Sequence, residues 1–323
     1  MSVALPFTSP WLLAPMEGIT EPCFRDLVLA RNSASALGGA FTEFVRVVDL
    51  PLPGWKLAEH LGPHRFETPV GLQLMGSDLG ALAATAQRAV AAGAPLIDLN
   101  FGCPAKGAIA DCSGSGMLRD PPRLERTVRA ITDALPGVPV TAKIRAGFDD
   151  HSRLADLARA AEAGGAALLT VHCRTRIEAY CESVDWARIA LAVRAVSIPV
   201  CGNGSVVTHA DLERMRSETG AKYAMVGRGA LADPWIFSGH RATRREAGEF
   251  LLEYAQVLRD RHGAKLAGRA ARVKQLLRYW TAADLLGPDR TSWLREADPA
   301  RLFERLAQAA GLESGAPAGL GAA

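Results

Sequence analysis

The sequence lacks the features that would place it in several large classes. Its six cysteines stand at 23, 103, 112, 173, 181 and 201, with no C-x-x-C pair among them. That spacing offers neither a zinc site nor a disulfide framework, so reduced thiols, no metal and a cytoplasmic location are expected. No run reaches the roughly 18 apolar residues of a membrane span, and no basic segment leads into an apolar one at the start. A soluble chain with no membrane contact follows. No G-x-G-x-x-G comes after the first strand-like run, which counts against an open dinucleotide-binding sheet. Charge of one sign is scarce too. The formal net charge is +3 over 323 residues, too small to announce a polyanion partner. It is unevenly spread, with +4 in residues 241–323 and −1 in residues 1–240.

What is present is repetition. Eight short runs have strand character: residues 12–16, 40–45, 70–76, 96–102, 140–145, 168–174, 200–206 and 223–229. Ala-rich segments of helical period separate them, among them Leu79 to Ala92, Leu124 to Ala134, Arg153 to Ala163 and Ala210 to Arg216. Several runs are apolar on both faces, as parallel strands under helices should be. The count of eight favours a closed (β/α)8 TIM barrel over an open sheet. The alternation stops near residue 243. Arg244 to Arg261, Leu266 to Leu286 and Pro299 to Ala310 then read as helices. The expected organisation is a barrel over residues 1–243, a small C-terminal helical bundle over 244–310, and a disordered Gly/Ala-rich tail over 311–323.

The fourth run, Leu96-Ile97-Asp98-Leu99-Asn100-Phe101-Gly102-Cys103-Pro104, ends in an amide, a glycine and a thiol. Gly102 admits a backbone closed to other residues, Pro104 stops the strand, and Cys103 is left at the mouth of a reactive loop. The segment after it, Cys103 to Arg119, is longer than its counterparts, small and polar; it reads as a substrate-serving loop with no core element. Two glycine turns follow the seventh and eighth runs, Gly202-Asn203-Gly204-Ser205 and Gly227-Arg228-Gly229. In a barrel of this kind those loops commonly take a phosphate on backbone amides, and Arg228 adds charge.

Asn100, Cys103, Pro104 and Lys106 in NFGCPAK, with APMEGIT at residues 14–20, resemble the tRNA-dihydrouridine synthases, flavin enzymes that reduce particular uridines of tRNA. TEFVRVVD at 42–49, Tyr180 followed by the VDW run at 184–186, and ARVKQ at 271–275 are similar to the bacterial C-type branch, whose target is uridine 16. The resemblance implies bound FMN, NADPH as reductant and tRNA as substrate, with a monomer expected. It assigns FMN to Pro15, Met16, Glu17, Gln73, Lys143, Asn203, Gly204, Ser205, Gly227 and Arg228, and sets His172 near the ring and phosphate. Arg145 and Tyr180 match positions at the target base. Arg46, Arg272, Lys274, Tyr279 and Arg295 match tRNA-orienting positions. The basic run from Arg259 to Arg278, seven basic residues against one acidic, fits the same partner.

Saturating the C5–C6 bond of uracil takes a hydride at one carbon and a proton at the other. Reduced flavin is a hydride source, and Cys103 is the expected acid, because an ordinary thiol is largely protonated at neutral pH. Asn100, with both a donor and an acceptor, could pair with the uracil edge once the base is turned out of its stack. Lys143 beside a flavin would stabilise its anionic reduced form; its other reading is an ion pair with Glu43 or Asp98. Two further functional readings stay open at this point, a dihydroorotate-type dehydrogenase of a small pyrimidine and a non-catalytic RNA-binding factor. Cys23, Cys173 and Cys201 are read as buried small hydrophobes, and Cys112 is open.

Overall fold

A computed structural model describes residues 3–63, 66–178 and 184–312. Two compact units emerge. One holds Ser33–Gly227 with the N-terminal residues to Pro22, the other Cys23–Asn32 with the chain from Arg228 onward. The boundary at 243 read from the sequence marks where a repeating pattern ends; the division after Gly227 marks where packing partners change.

The first unit contains nine strands among the described residues: β1 (Trp11–Leu13), β2 (Gly39–Phe41), β3 (Val45–Val47), β4 (Val70–Gly76), β5 (Ile97–Phe101), β6 (Val140–Arg145), β7 (Leu168–His172), β8 (Val200–Asn203) and β9 (Tyr223–Val226). Neighbours run β2-β1-β9-β8-β7-β6-β5-β4, and β4 pairs with both β2 and β3. Ala40 and Phe41 lie against Val70 and Gly71, while Val45 to Val47 lie against Leu74 to Gly76, all in parallel. Strands β2 and β3 are thus two halves of one barrel position, and nine strands fill eight places. The expected (β/α)8 barrel is what the chain forms.

The run at 40–45 is broken where the sequence shows no break. Between its halves, Thr42 Oγ1 accepts the Gln73 N–H at 3.1 Å and the Glu43 carboxylate accepts the Gly18 N–H at 2.7 Å. The Thr42 N–H still donates to the Gly71 carbonyl of β4 at 3.0 Å, so the chain stays against β4 while the side-chain acceptor takes the place of a backbone carbonyl toward Gln73.

Alternate residues of each strand face the barrel interior, and their polarity rises toward the C-terminal ends. The N-terminal end is apolar. Leu12, Phe41, Leu96, Leu168, Cys201, Tyr223 and Met225 form one buried cluster, and Phe7 closes it edge-on against Phe41 and Tyr223, with centroids at 6.0 and 5.5 Å. One layer up, Gln73, Asp98, Thr141 and Thr170 are buried and polar. At the C-terminal ends stand Asn100, Lys143, Arg145, His172 and Asn203. Helices between strands start on their own caps: Asp78 accepts the Ala81 N–H ahead of Leu79–Ala91, and Thr208 with Asp211 completes a capping box for His209–Thr219. Each cap satisfies backbone donors that no helical carbonyl reaches, worth about 1 kcal/mol.

The second unit is helical: Pro22–Arg31, Arg228–Ala232, Arg244–His262, Leu266–Leu277, Arg290–Arg295 and Pro299–Ala309. Aromatic residues build its centre. Phe250 meets Phe24, Trp235 and Trp280 at centroid separations of 6.0, 5.8 and 5.7 Å. The apolar stripe Val273, Leu276, Leu277 and Trp280 is buried as its spacing requires, with Arg278 and Tyr279 exposed. The helix expected to run from Leu266 to Leu286 ends instead at Leu277. Trp280 is buried in the turn that follows, the Thr281 N–H is taken by the Ala232 carbonyl, and Ala283 and Asp284 adopt positive φ. That tie and those dihedrals are incompatible with a continuing helix.

Candidate active site

A hydrogen-bonded chain runs through the barrel interior across β4, β5 and β6 and ends at the C-terminal end of β5. Asn100 Oδ1 accepts the backbone N–H groups of Gly102 and Cys103 at 2.9 and 3.0 Å, and its Nδ2 donates to Gln73 Oε1 at 2.8 Å. Gln73 Nε2 donates to Asp98 Oδ2 at 2.6 Å, and Thr141 Oγ1 donates to Asp98 Oδ1 at 2.5 Å. Strand register makes the chain possible, since Gln73 lies opposite Asp98 and Asp98 opposite Thr141. Asn100 therefore has its acceptor occupied by the loop and one N–H left to offer. The sequence reading gave it both a donor and an acceptor for the substrate; the fold leaves the donor.

Cys103 follows directly and is 7% exposed, packed against Met75 and Phe44 in a small cluster separate from the barrel core. Burial raises its thiol pKa above the ordinary range, and the Glu17 carboxylate adds to this. The Ala105 N–H and the charges of Arg145 and Arg46 pull the other way without overcoming it. The thiol is a proton carrier at neutral pH. Around it the loop from Cys103 to Arg119 folds as a short helix, Lys106–Ala110, and a 3-10 turn, Gly114–Arg119. Expected to be without core elements, it buries Met117 and Leu118 at 1% and 2% exposure. Two apolar side chains in a small, polar segment were enough to anchor it. Arg46, half-exposed on β3, ion-pairs with Asp111 of this loop.

The next strand ends bring in cations. Arg145 is 4% exposed; its Nε donates to the Gly102 carbonyl at 2.8 Å and Nη1 to the Thr175 carbonyl at 3.3 Å, so it braces the loop that carries the thiol. Lys143 sits opposite Asn100 across the β5–β6 ladder. Its pKa is lowered to about 8, by burial first and by Arg145 next, with Asp98 opposing. Among the described residues none hydrogen-bonds or ion-pairs with its ammonium, and Glu43 is engaged with Gly18. His172 is held neutral, its pKa well below the usual value through burial and the charges of Lys143, Arg145 and Arg174. Its Nδ1 lies 3.4 Å from the Arg174 backbone nitrogen.

The glycine turns lie where the sequence sets them. Asn203 ends β8, and its Nδ2 donates to the Met225 carbonyl at 2.8 Å. Gly204 has φ +132°, and a Cβ there would come within 2.5 Å of Cys173 Sγ. Ser205 adopts φ +53° and accepts from Arg174 Nη2 at 2.8 Å. Across the barrel seam Gly227 faces Met16, whose N–H is held by Thr20 Oγ1 at 2.8 Å; Pro15 precedes it, and Glu17 is exposed. Arg228 comes next in the chain, exposed at the start of Arg228–Ala232 in the second unit.

The first unit thus brings together Pro15, Met16, Glu17, Asn100, Cys103, Lys143, Arg145, His172, Asn203, Gly204, Ser205 and Gly227 at one end of its strands, with Gln73 buried in the layer beneath and Arg46 paired to the Cys103 loop. Arg272, Lys274, Tyr279 and Arg295 belong to the second unit. There Lys274 Nζ reaches the Glu296 carbonyl, Arg272 Nη1 lies 3.4 Å from Gln275 Oε1, and Arg295 ends its helix exposed. Tyr180 falls outside the described residues. Sequence reasoning missed Met75, Phe44 and Thr141, and passed over Arg174 and Asp98 as neighbours of others. Arg174 had a readable signal, being the one cation in a strand-end motif, His172 to Thr175.

The residues at these strand ends suit a flavin. A half-buried ammonium with no hydrogen-bond or ion-pair partner among the described residues suits an electron-rich ring edge. A neutral imidazole and a turn whose glycine leaves the backbone bare lie at neighbouring strand ends.

The model of the dihydrouridine synthase (Dus) family matches residues 12–282. The tRNA-dihydrouridine(16) synthase of Haemophilus influenzae is 36% identical over 281 residues, covering 83% of this chain and 89% of that protein. The enzyme of the same description from Aquipseudomonas alcaligenes is 38% identical over 290 residues, with the same coverage. A probable tRNA-dihydrouridine synthase of Rhizobium leguminosarum bv. phaseoli is 35% identical over 94% of this chain and 96% of its own. Among solved structures, FabK from Thermotoga maritima superposes with a TM-score of 0.48 at 15% identity, over 71% of this chain and 61% of that one. The match to the family across most of the chain, on a barrel whose strand ends gather its motif residues around one shielded thiol, makes this chain a member of the dihydrouridine synthase family, the flavin-dependent oxidoreductases that act on tRNA uridines.

Proposed function

We propose that this chain is an FMN-dependent tRNA-dihydrouridine(16) synthase that takes its reducing equivalents from NADPH. The observation that carries the reading is the state of Cys103, a thiol kept protonated at the mouth of a barrel whose facing strand ends hold amide donors and a lysine with no hydrogen-bond partner among the described residues. FMN held here would supply hydride chemistry at C6 of the uracil, with NADPH as the source of its reducing equivalents. Cys103 gives its proton to C5 and Arg145 holds the loop that carries it. Asn100 offers its remaining N–H to a carbonyl oxygen of the base. Lys143 and His172 would hold the flavin ring, with Pro15 to Glu17 at its side; Gln73, expected among the flavin contacts, is fully buried with its amide bonded to Asn100 and Asp98, and would act through Asn100. Asn203, Gly204, Ser205, Gly227 and Arg228 take its phosphate.

Several features favour RNA over a free pyrimidine. Of the large apolar side chains exposed among the described residues of the first unit, Val48, Leu50, Trp55, Leu79, Ile177 and Val207 lie in segments that follow strand C-terminal ends, and Val3 lies elsewhere. An apolar rim around the mouth suits unstacked nucleotides, which pack on aromatic and apolar surfaces. The relatives named for position 16 support that uridine as the target. Arg46, Tyr180, Arg272, Lys274, Tyr279 and Arg295 orient the tRNA in this reading, with the barrel as catalytic domain and the C-terminal helices as tRNA-binding domain. It works as a cytoplasmic monomer; no helix among the described residues is long and apolar enough to cross a membrane.

The test is direct. The purified protein should be yellow, bleach with NADPH, and place dihydrouridine at position 16 of tRNA from a strain lacking the enzyme. Dihydrouridine at another position would correct the target. Reduction of free uracil or oxidation of dihydroorotate, with tRNA untouched, would replace the reading with a small-pyrimidine dehydrogenase.

A further inference from the structure

The chain Thr141–Asp98–Gln73–Asn100–loop has a direction that its end fixes. Backbone N–H groups only donate, so the atom of Asn100 that lies 2.9 and 3.0 Å from those of Gly102 and Cys103 is its oxygen. Its nitrogen must then face Gln73, which makes the Gln73 atom at 2.8 Å the oxygen and the atom turned to residue 98 the nitrogen. Residue 98 has to accept. Were it apolar, the buried Gln73 N–H and Thr141 hydroxyl would lose their partner, and the Gln73 amide would be held in its sense from the Asn100 side alone.

We infer that Asp98 is a positioning residue of the active site: as terminal acceptor it fixes the sense of the Gln73 and Asn100 amides and thereby holds the Cys103 loop in place. Asp98 is 1% exposed and Gln73 fully buried, so water does not stand in for the lost acceptor. Burial raises the Asp98 pKa and Lys143 opposes this, yet the direction of the chain survives either charge state. A protonated Oδ1 can donate to Thr141 Oγ1 while Oδ2 still accepts from Gln73. What the position requires is an acceptor aimed at Gln73.

Asp98→Asn and Asp98→Leu separate that requirement from charge and from packing. Asparagine keeps an oxygen toward Gln73 and can donate to Thr141 Oγ1; leucine has similar bulk and no acceptor. In FMN-free protein carrying Cys112→Ser, the rate at which iodoacetamide modifies Cys103 reports the loop. Asp98→Leu should raise it at least tenfold and Asp98→Asn should leave it within twofold. With FMN and tRNA, Asp98→Leu should lower kcat at least a hundredfold with little change in the KM for tRNA, and Asp98→Asn should restore kcat to within about fivefold. Where Asp98→Leu does not fold, Gln73→Met cuts the same chain and should show the same rise in alkylation. The idea fails if leucine leaves both rates at the wild-type level, if Gln73→Met leaves alkylation there, or if asparagine is as damaging as leucine. The kinetic arm rests on the function proposed above and the alkylation arm does not. A wild type inactive on tRNA would retire that function while alkylation still decides the role of Asp98.

Discussion

Gly114 lies directly against Cys103. A Cβ at position 114 would meet the Cys103 carbonyl oxygen at 2.9 Å and its Cβ at 3.1 Å, with Met75 Sδ also at 3.1 Å. The glycine has φ +51°, and the neighbouring Ser115 N–H is bound to that same carbonyl at 3.0 Å. Gly114→Ala therefore meets a strained backbone and a blocked approach together. The strain alone costs about 1 kcal/mol, and the clash falls on the reactive loop. The expected outcome is a modest fall in thermal midpoint with a loss of tRNA reduction of tenfold or more, checked by a melting curve beside a dihydrouridine assay.

The two cysteines of the loop should differ in reactivity. Cys112 is exposed, at φ +50°, whereas Cys103 is shielded and its thiol is pushed up by burial. Alkylation needs the thiolate and access to it. At pH 8 iodoacetamide should modify Cys112 well before Cys103, by about tenfold or more, as followed by peptide mass spectrometry. Equal rates would mean that the Cys103 thiol is neither shielded nor held protonated.

Lys143 makes cofactor binding depend on pH. Its pKa is lowered to about 8 in the protein without cofactor, so the ammonium is charged below that pH and loses its proton above it. An acceptor edge of the ring held by Lys143 keeps the proton on, so affinity should fall as pH rises beyond 8, by at most about tenfold per pH unit. Titrations of FMN fluorescence between pH 7 and 9.5 should show this decline, and Lys143→Met should flatten it. The stability sign is the reverse. A lysine whose folded pKa is depressed opposes folding below that pKa, and the penalty fades as pH rises toward the unfolded value. Without FMN, Lys143→Met should be at least as stable as the wild type at pH 7 by urea unfolding.

Trp55 is 66% exposed at the start of the helix Gly54–Leu61, whose buried residues Leu57 and Leu61 turn the other way. An indole held out to solvent beside the catalytic mouth suits stacking on a base, worth about 1 to 3 kcal/mol. Trp55→Ala should raise the KM for tRNA by roughly fivefold to a hundredfold, with flavin reduction by NADPH and thermal stability unchanged. An unaltered KM would remove this side chain from the RNA surface.

Much of this was legible because it is written in local pattern. Strands 70–76 and 140–145 coincide with β4 and β6, since an apolar run bounded by turn residues has few other ways to fold. The glycine turns after β8 and β9 and the thiol after β5 could be placed as soon as the strands were counted. What escaped depends on distant partners. At the split between β2 and β3, Thr42 and Glu43 meet Gln73 and Gly18, and no window of the sequence contains both members of either pair. The burial of Met117 and Leu118 was hidden by the polar residues around them. Asp98 reads as one more charge in an apolar strand until its partners on β4 and β6 are seen.

The account stands on Cys103 as the acid that completes the reduction. Enzyme reduced beforehand with NADPH and mixed with tRNA lacking dihydrouridine gives that step in a single turnover. Cys103→Ala should form dihydrouridine at least a hundredfold more slowly than the wild type, while NADPH reduces the flavin of both at the same rate. A mutant that forms dihydrouridine as fast as the wild type would show that the proton comes from another group.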